Sequence, residues 1–306
     1  MAHLFGPVPS RRLGRSLGVD LIPTKTCPYD CIYCEVGPTT HQTGKRFSYQ
    51  TETIISELED YLRDVPQPPD VITLAGSGEP TLNLGLGRII SSIKEMSRIP
   101  VAVLTNGALL YLPEVRAELA AADLVLPSLD SACEATYRLI NRPLPGLSLE
   151  SLLKGLVPFR REYHGRLLLE VMLLKGINDT EEELTLLRRA LAEIAPDRIQ
   201  LNTAVRPVVD DLARPLDRVE MEAAATFLGG PVEVIASFDQ ADIAETPCHD
   251  EDFVEMLSRR PMTAADVAKA SGLPLIQVVA RLKRLQDAGR ISHDRYHDQE
   301  FYRHHT

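Results

Sequence analysis

From residue 17 to about residue 236, short β-branched or aliphatic runs alternate with longer amphipathic segments. Seven runs predict strands: 16–23 (SLGVDLIP), 70–76 (DVITLAG), 100–106 (PVAVLTN), 123–130 (DLVLPSLD), 166–174 (RLLLEVMLL), 197–205 (DRIQLNTAV) and 231–237 (PVEVIAS). They are continuous apolar runs, as expected of parallel strands covered on both faces. Helical periodicity fills the intervals at 49–65, 84–98, 113–121 and 180–194, and Thr180 followed by Glu183 predicts a capping box. Six or more such units at ~25–35-residue spacing imply an α/β protein, either a parallel barrel, complete or partial, or a doubly wound open sheet. In either, functional residues belong at the C-terminal ends of the strands.

The last part of the chain changes pattern. Residues 250–260, 263–272 and 274–291 read as three helices joined by short turns, and 291–305 as two strands. This predicts a second domain, 249–306, resembling a winged helix-turn-helix with a basic last helix (Arg281, Lys283, Arg284), after a first domain of residues 1–248.

The 306 residues, 44% hydrophobic, suffice for a large core. The longest apolar stretch, LLLEVMLLKGI, is short and interrupted by Glu170, so no membrane span is expected. The first residues lack the pattern of a secretory signal. Five cysteines, three of them clustered, argue against a disulfide framework, and the expected location is a reducing cytoplasm. The net charge of −10 is uneven: residues 1–50 carry six basic and three acidic side chains, and 249–306 carry nine of each. A basic cap on an acidic body suggests an anionic ligand near the cysteines.

Those cysteines, Cys27, Cys31 and Cys34, crowd one loop after the first predicted strand (TKTCPYDCIYCEVG). Thiolates at such spacing bind zinc or iron–sulfur clusters. A structural zinc would want a second ligand pair, and His41 is the only nearby candidate. A four-iron cluster on three thiolates leaves one iron for a non-protein ligand.

Cys-x3-Cys-x2-Cys, with Tyr33 just before the third cysteine, resembles the radical S-adenosylmethionine (SAM) superfamily. The resemblance implies a partial (β/α)6 parallel barrel and an enzyme with a [4Fe–4S] cluster on Cys27, Cys31 and Cys34. In that family SAM chelates the unique iron and is reductively cleaved to a 5′-deoxyadenosyl radical that takes hydrogen from substrate, with an electron donor such as flavodoxin or ferredoxin. Tyr33 stands where the family packs an aromatic near the adenine. The run AGSGEPTLN matches the family's glycine-rich SAM motif in altered form, making Gly76, Ser77, Gly78 and Glu79 SAM-site candidates. Asn106, Ser128 and Asp130, at the ends of the third and fourth predicted strands, are further cofactor candidates.

The N-terminal run FGPVPSRRLGRSLGVDLIPTKTCPYDCIYCEVG, with SGEPTLN, is similar to the wybutosine-synthase-related group. That likeness implies a tRNA-related or modified nucleobase or nucleoside substrate. It would make Arg11, Arg12 and Arg15 a basic patch near the cluster loop, with Asn202 a further substrate candidate. The tRNA-modifying members carry extra N-terminal cysteines, whereas no cysteine precedes Cys27 here. Cys133 reads as a small buried hydrophobe and Cys248 as a linker thiol. The competing readings are an iron–sulfur redox-sensing nucleic-acid-binding regulator, supported by the terminal domain, and a peptide-modifying radical SAM maturase.

Overall fold

The computed structural model describes residues 3–10, 12–65, 67–236, 250–296 and 299–304. Eight strands form one sheet in sequential order: β1 (Leu4–Ser10), β2 (Gly14–Asp20), β3 (Val71–Ala75), β4 (Val101–Thr105), β5 (Leu124–Pro127), β6 (Arg166–Leu173), β7 (Arg198–Thr203) and β8 (Val232–Val234). β1 and β2 form an antiparallel hairpin, and every later neighbour pairs in parallel. All seven predicted strands are present. β1 is the addition to this sheet, since LFGPVPS carries two prolines and no apolar run.

Seven helices accompany the sheet: α1 (Thr51–Asp64), α2 (Leu86–Met96), α3 (Pro113–Leu119), α4 (Glu134–Asn141), α5 (Leu149–Glu162), α6 (Glu181–Ile194) and α7 (Arg218–Leu228). In α2, Leu86, Ile89, Ile90 and Ile93 recur at helical spacing, and all four are fully buried. Each contributes ~1.5–3 kcal/mol by leaving water. The capping box expected at α6 is half formed. Thr180 accepts from the Glu183 N–H at 3.3 Å, but the Glu183 carboxylate takes the hydroxyls of Ser131 (2.8 Å) and Thr136 (2.6 Å). A tertiary partner thus replaces the local one.

The strands alternate more than a continuous apolar reading suggests. On β2, Leu17 and Val19 enter the core shared with the helices, while Ser16 and Gly18 line a cavity on the other face. Val71, Ala102, Leu126 and Leu168 form a separate apolar cluster. Polar side chains, Thr73, Glu170 and Asn202 among them, appear farther along the strands. The strand ends therefore converge on a polar interior, where polar groups find one another as partners.

Residues 250–304 have a core of their own. α8 (Asp250–Arg259), β9 (Met262–Thr263), α9 (Ala264–Ser271), α10 (Leu275–Asp287), β10 (Ile291–Tyr296) and β11 (Gln299–His304) surround Phe253, Val267, Val278, Leu282 and Ile291. The strands form an antiparallel sheet in the order β9-β11-β10. Thr263 and Asp266 form a capping box at α9, and Gly272 closes it at φ +67°. α8 and α9 pack against β1 of the large sheet. Arg259 of α8 pairs with Asp20, and its guanidinium lies 4.6 Å from the centre of the Phe5 ring. The ring fits because residue 18 is glycine: a Cβ there would fall 2.0 Å from Phe5. No helix among the described residues is long and apolar enough to cross a membrane.

Candidate functional site

The cysteine loop leaves the C-terminal end of β2 and is held by the end of α4. Asp30 N–H donates to the Asn141 carbonyl (3.1 Å), and Ile32 N–H to that of Ile140 (2.9 Å). Tyr29 lies edge-on to Tyr137, their hydroxyls 2.7 Å apart. Cys34 N–H returns to the Cys31 carbonyl (3.1 Å), and Gly37 N–H to that of Cys34 (3.2 Å).

Each sulfur meets nitrogen donors. Cys27 Sγ receives Asn106 Nδ2 at 3.3 Å and the Tyr29 N–H at 3.5 Å. Cys31 Sγ lies 3.6 Å from Asn141 Nδ2, and Cys34 Sγ lies 3.4 Å from Lys25 Nζ. Burial first, then the charges of Glu79 and Cys34, pushes the Cys27 thiol up to about 12, against the pull of its donors. Burial, then Cys27, Asp130 and Cys34, raises Cys31 as well. Cys27 and Cys31 so placed resist ionising unless a cation neutralises them, as metal coordination does. Among the described residues no three His, Cys, Asp or Glu side chains are set to hold a single metal ion. Three soft donors, each with N–H groups ready to support a thiolate, fit an iron–sulfur cluster.

Residues 76–79 pack against this loop. Gly76 adopts φ +122°, and a Cβ there would fall 1.6 Å from Asp20 Oδ1. A Cβ on Gly78 would fall 2.3 Å from the Thr26 carbonyl. Both glycines let the two loops zip together. Ser77 N–H donates to Asp20 Oδ1 (3.0 Å), Lys25 N–H to the Ser77 carbonyl (2.6 Å) and Glu79 N–H to that of Thr26 (3.1 Å). Glu79 is 2% exposed, and its Oε1 accepts from Thr81 N–H (3.1 Å), Thr81 Oγ1 and Thr105 Oγ1 (both 2.6 Å). Its Oε2 accepts from Asn106 N–H at 2.8 Å. Burial raises its carboxyl and these donors partly offset the rise. Asn106 thus bridges Glu79 and Cys27.

Tyr33 and Asp130 meet each other. The Tyr33 hydroxyl donates to Asp130 Oδ2 at 2.6 Å, Asn141 Nδ2 donates to the same oxygen at 2.6 Å, and Met172 N–H donates to Oδ1 at 2.9 Å. Burial, opposed by these bonds, raises the Asp130 carboxyl. Ser128 bridges through its backbone to Glu170 and is half-buried.

Of the three arginines expected as one patch, the two among the described residues, Arg12 and Arg15, have different partners. Arg12 makes a two-pronged pair with Glu170 (2.7 and 3.0 Å), and Asn202 Nδ2 donates to the same carboxylate at 3.0 Å. Arg15 stands apart, its N–H on Asp70 and its charge felt by Tyr61 of α1. Arg12 lies in the turn before β2, whereas Arg15 lies on the strand. Arg11 and Cys248 lie outside the described residues. Cys133 caps α4 and is half-buried.

The structure adds residues the sequence did not single out. Lys25, 9% exposed at φ +62°, directs its ammonium to Cys34 Sγ and the Gly37 carbonyl. Asn141 joins Cys31 to Asp130, and Asp20 joins the glycine-rich turn to Arg259. Asp20 was legible as the polar partner alternating with Leu17 and Val19. Asn141 is 110 residues from Cys31, and no local pattern marks it.

The profile of the family described as Radical SAM superfamily matches residues 21–188. A protein named GTPase Obg from Brachyspira hyodysenteriae is 40% identical over 294 residues, 94% of this chain and 43% of that protein. The chain thus spans less than half that relative's length. The phosphate-cradling Gly-x4-Gly-Lys-Ser/Thr pattern of P-loop proteins does not occur in these 306 residues. The UPF0026 protein MJ1312 from Methanocaldococcus jannaschii is 35% identical over 270 residues, 86% of this chain and 84% of that one. The solved structure of TYW1 with a lysine-pyruvate adduct bound has a TM-score of 0.52 at 18% identity, over 73% of this chain and 75% of that one. At that identity the likeness is one of fold.

Proposed function

The chain belongs to the radical SAM superfamily, and from that premise we propose that Cys27, Cys31 and Cys34 hold its cluster and that residues 76–79 border bound SAM. The superfamily's cofactors are a [4Fe–4S] cluster and SAM, and its enzymes need an electron donor. When bound, the two cofactors supply a 5′-deoxyadenosyl radical that takes hydrogen from a substrate.

The protein's part is positioning and exclusion of water. One observation carries the reading: three thiols share a loop at the strand ends, each beside nitrogen donors, and that loop is bonded to the glycine-rich turn. Asn106 and Asn141 orient Cys27 and Cys31. Tyr33 and Asp130 are tied to each other beside the cluster loop, and Glu79 fixes the turn that borders SAM. Flavodoxin or ferredoxin would deliver the electron.

The substrate in this reading is a modified nucleobase or nucleoside, or a tRNA-related group. Its support is the N-terminal run shared with the wybutosine-synthase-related group. The order helix, strand, helix, helix, strand, strand in residues 250–304 supports a winged helix. Its third helix suits a regulator poorly. Arg281 and Arg284 each lie 3.8 Å from Asp250, and Leu275, Ile276 and Val279 expose an apolar face where a duplex reader would be polar.

The test is anaerobic reconstitution with reductant and SAM, followed by assay of 5′-deoxyadenosine. Wild type yields it and Cys31→Ala does not. Equal yields from the two would overturn the assignment.

A further inference from the structure

A cavity of about 260 Å³ lies in the barrel mouth. Ser16, Thr73 and Leu104 form its strand wall, and Gly76 and Ser77 join it to the glycine-rich turn. Its roof comes from the other end of the chain, with Met256, Arg259 and Met262. The mouth above the candidate SAM turn is therefore closed by the C-terminal domain.

Three arginines line the cavity, two of them held by carboxylates outside the lining, Arg12 by Glu170 and Arg259 by Asp20. Arg12, Arg259 and Arg260 face the cavity against one lining carboxylate, Glu35, and that carboxylate is already paired with Arg206 at 2.9 Å. Arg259 is held by a cation–π seat on Phe5, which persists whatever the guanidinium pairs with. Its carboxylate partner, Asp20, also serves the turn, because Oδ1 holds the Ser77 N–H at 3.0 Å while Oδ2 meets Arg259. An incoming anion can take the guanidinium from Oδ2 and leave Oδ1 on the turn. The guanidinium then exchanges one anionic partner for another, and Asp20, 8% exposed, keeps the Ser77 N–H as a donor.

Resting on the radical SAM reading above, we propose that this cavity is the substrate chamber and that the C-terminal domain is its roof. Of the substrates named above it takes the small modified base rather than a tRNA, and the carboxylate or phosphate of that molecule binds Arg259 in place of Asp20. The apolar body lies against Phe5, Leu104, Met256 and Met262. The volume falls just below the ~300–1,000 Å³ of drug-sized ligand sites, so a single ring or short chain fits and a polynucleotide does not. Arg259 acts as a specificity residue supplied by a domain remote in sequence.

The test uses the full-length, anaerobically reconstituted protein and two probes, malonate and inorganic phosphate, titrated calorimetrically at constant ionic strength. One of the two binds wild type at one site per chain, and which one identifies the headgroup. Arg259→Gln weakens that binding at least tenfold, whereas Arg259→Lys, which keeps the charge but lacks the planar fork, weakens it three- to fivefold. SAM affinity stays within twofold in all three proteins, and the anion does not compete with SAM. Hydrogen exchange of the β1 amides reports whether each variant keeps its roof docked, so Arg259→Lys decides the question if Arg259→Gln undocks. The proposal is overturned if neither anion binds, if a docked Arg259→Gln binds as wild type does, if the anion displaces SAM, or if a tRNA transcript displaces the anion. A wild type that binds the anion through Arg259 but never binds SAM would sink the radical SAM reading while leaving the anion contact standing.

Discussion

Lys25 offers the most quantitative handle on the site, because its ammonium is a buried unit charge 3.4 Å from Cys34 Sγ. Replacing it by methionine keeps the length and apolar stem but removes the charge. A unit charge at that distance is worth ~5 kcal/mol at an effective dielectric constant of ~20. If about a quarter of an added electron's charge falls on that sulfur, the reduced cluster gains ~1.2 kcal/mol from the lysine, and at ~59 mV per 1.4 kcal/mol for one electron the potential rises by ~50 mV. Lys25→Met is therefore expected to lower the cluster potential by about 50 mV, and Lys25→Arg to leave it nearer wild type. An electron-paramagnetic-resonance redox titration of the reconstituted proteins measures this directly. A Lys25→Met potential equal to that of wild type, with full iron loading in both, would refute the reasoning.

Gly76→Ala meets both a left-handed backbone and a Cβ placed 1.6 Å from Asp20 Oδ1, so urea unfolding should show a loss of at least ~2–3 kcal/mol. Arg12→Ala leaves the Glu170 carboxylate, which is 16% exposed, without this cation, though Asn202 still donates to it, and is expected to cost ~3–5 kcal/mol, whereas Arg15→Ala should stay within ~1 kcal/mol; the same unfolding assay compares them. Asp130 holds its proton more tightly folded than unfolded, so its contribution to stability is greatest in acid and is lost as pH rises from the ordinary carboxylate range of ~4 through the raised folded value. The stability advantage of wild type over Asp130→Asn should accordingly shrink between pH 4 and neutrality, and a gap that widens would show that the hydrogen bonds to Asp130 outweigh its burial.

The parts of the molecule that depend on local pattern were readable along the chain. The seven parallel strands follow from apolar runs bounded by turns, and the cysteine loop follows from its spacing alone. What stayed hidden depends on contacts distant in sequence. Asn106 reads as a polar residue ending a strand, and only the fold shows that its amide meets Cys27 while its N–H meets Glu79. Glu183 reads as a capping-box partner for Thr180, yet Ser131 and Thr136 displace the cap because both hydroxyls face the carboxylate. The arginines near the N-terminus read as one patch. The hairpin turn carries Arg12 toward Glu170 while β2 carries Arg15 toward Tyr61, and both partners are distant in sequence. The docking of residues 250–304 on β1 could not be read locally, because Gly18, Phe5 and Arg259 make one stack from three separate parts of the chain.

The most direct measurement is of metal and sulfide content, with Mössbauer spectroscopy, on the full-length protein purified without oxygen. Wild type should contain about four irons and four sulfides per chain in the signature of a cubane, and the Cys27, Cys31 and Cys34 triple alanine variant close to none. Stoichiometric zinc without iron in the wild-type protein would contradict the account.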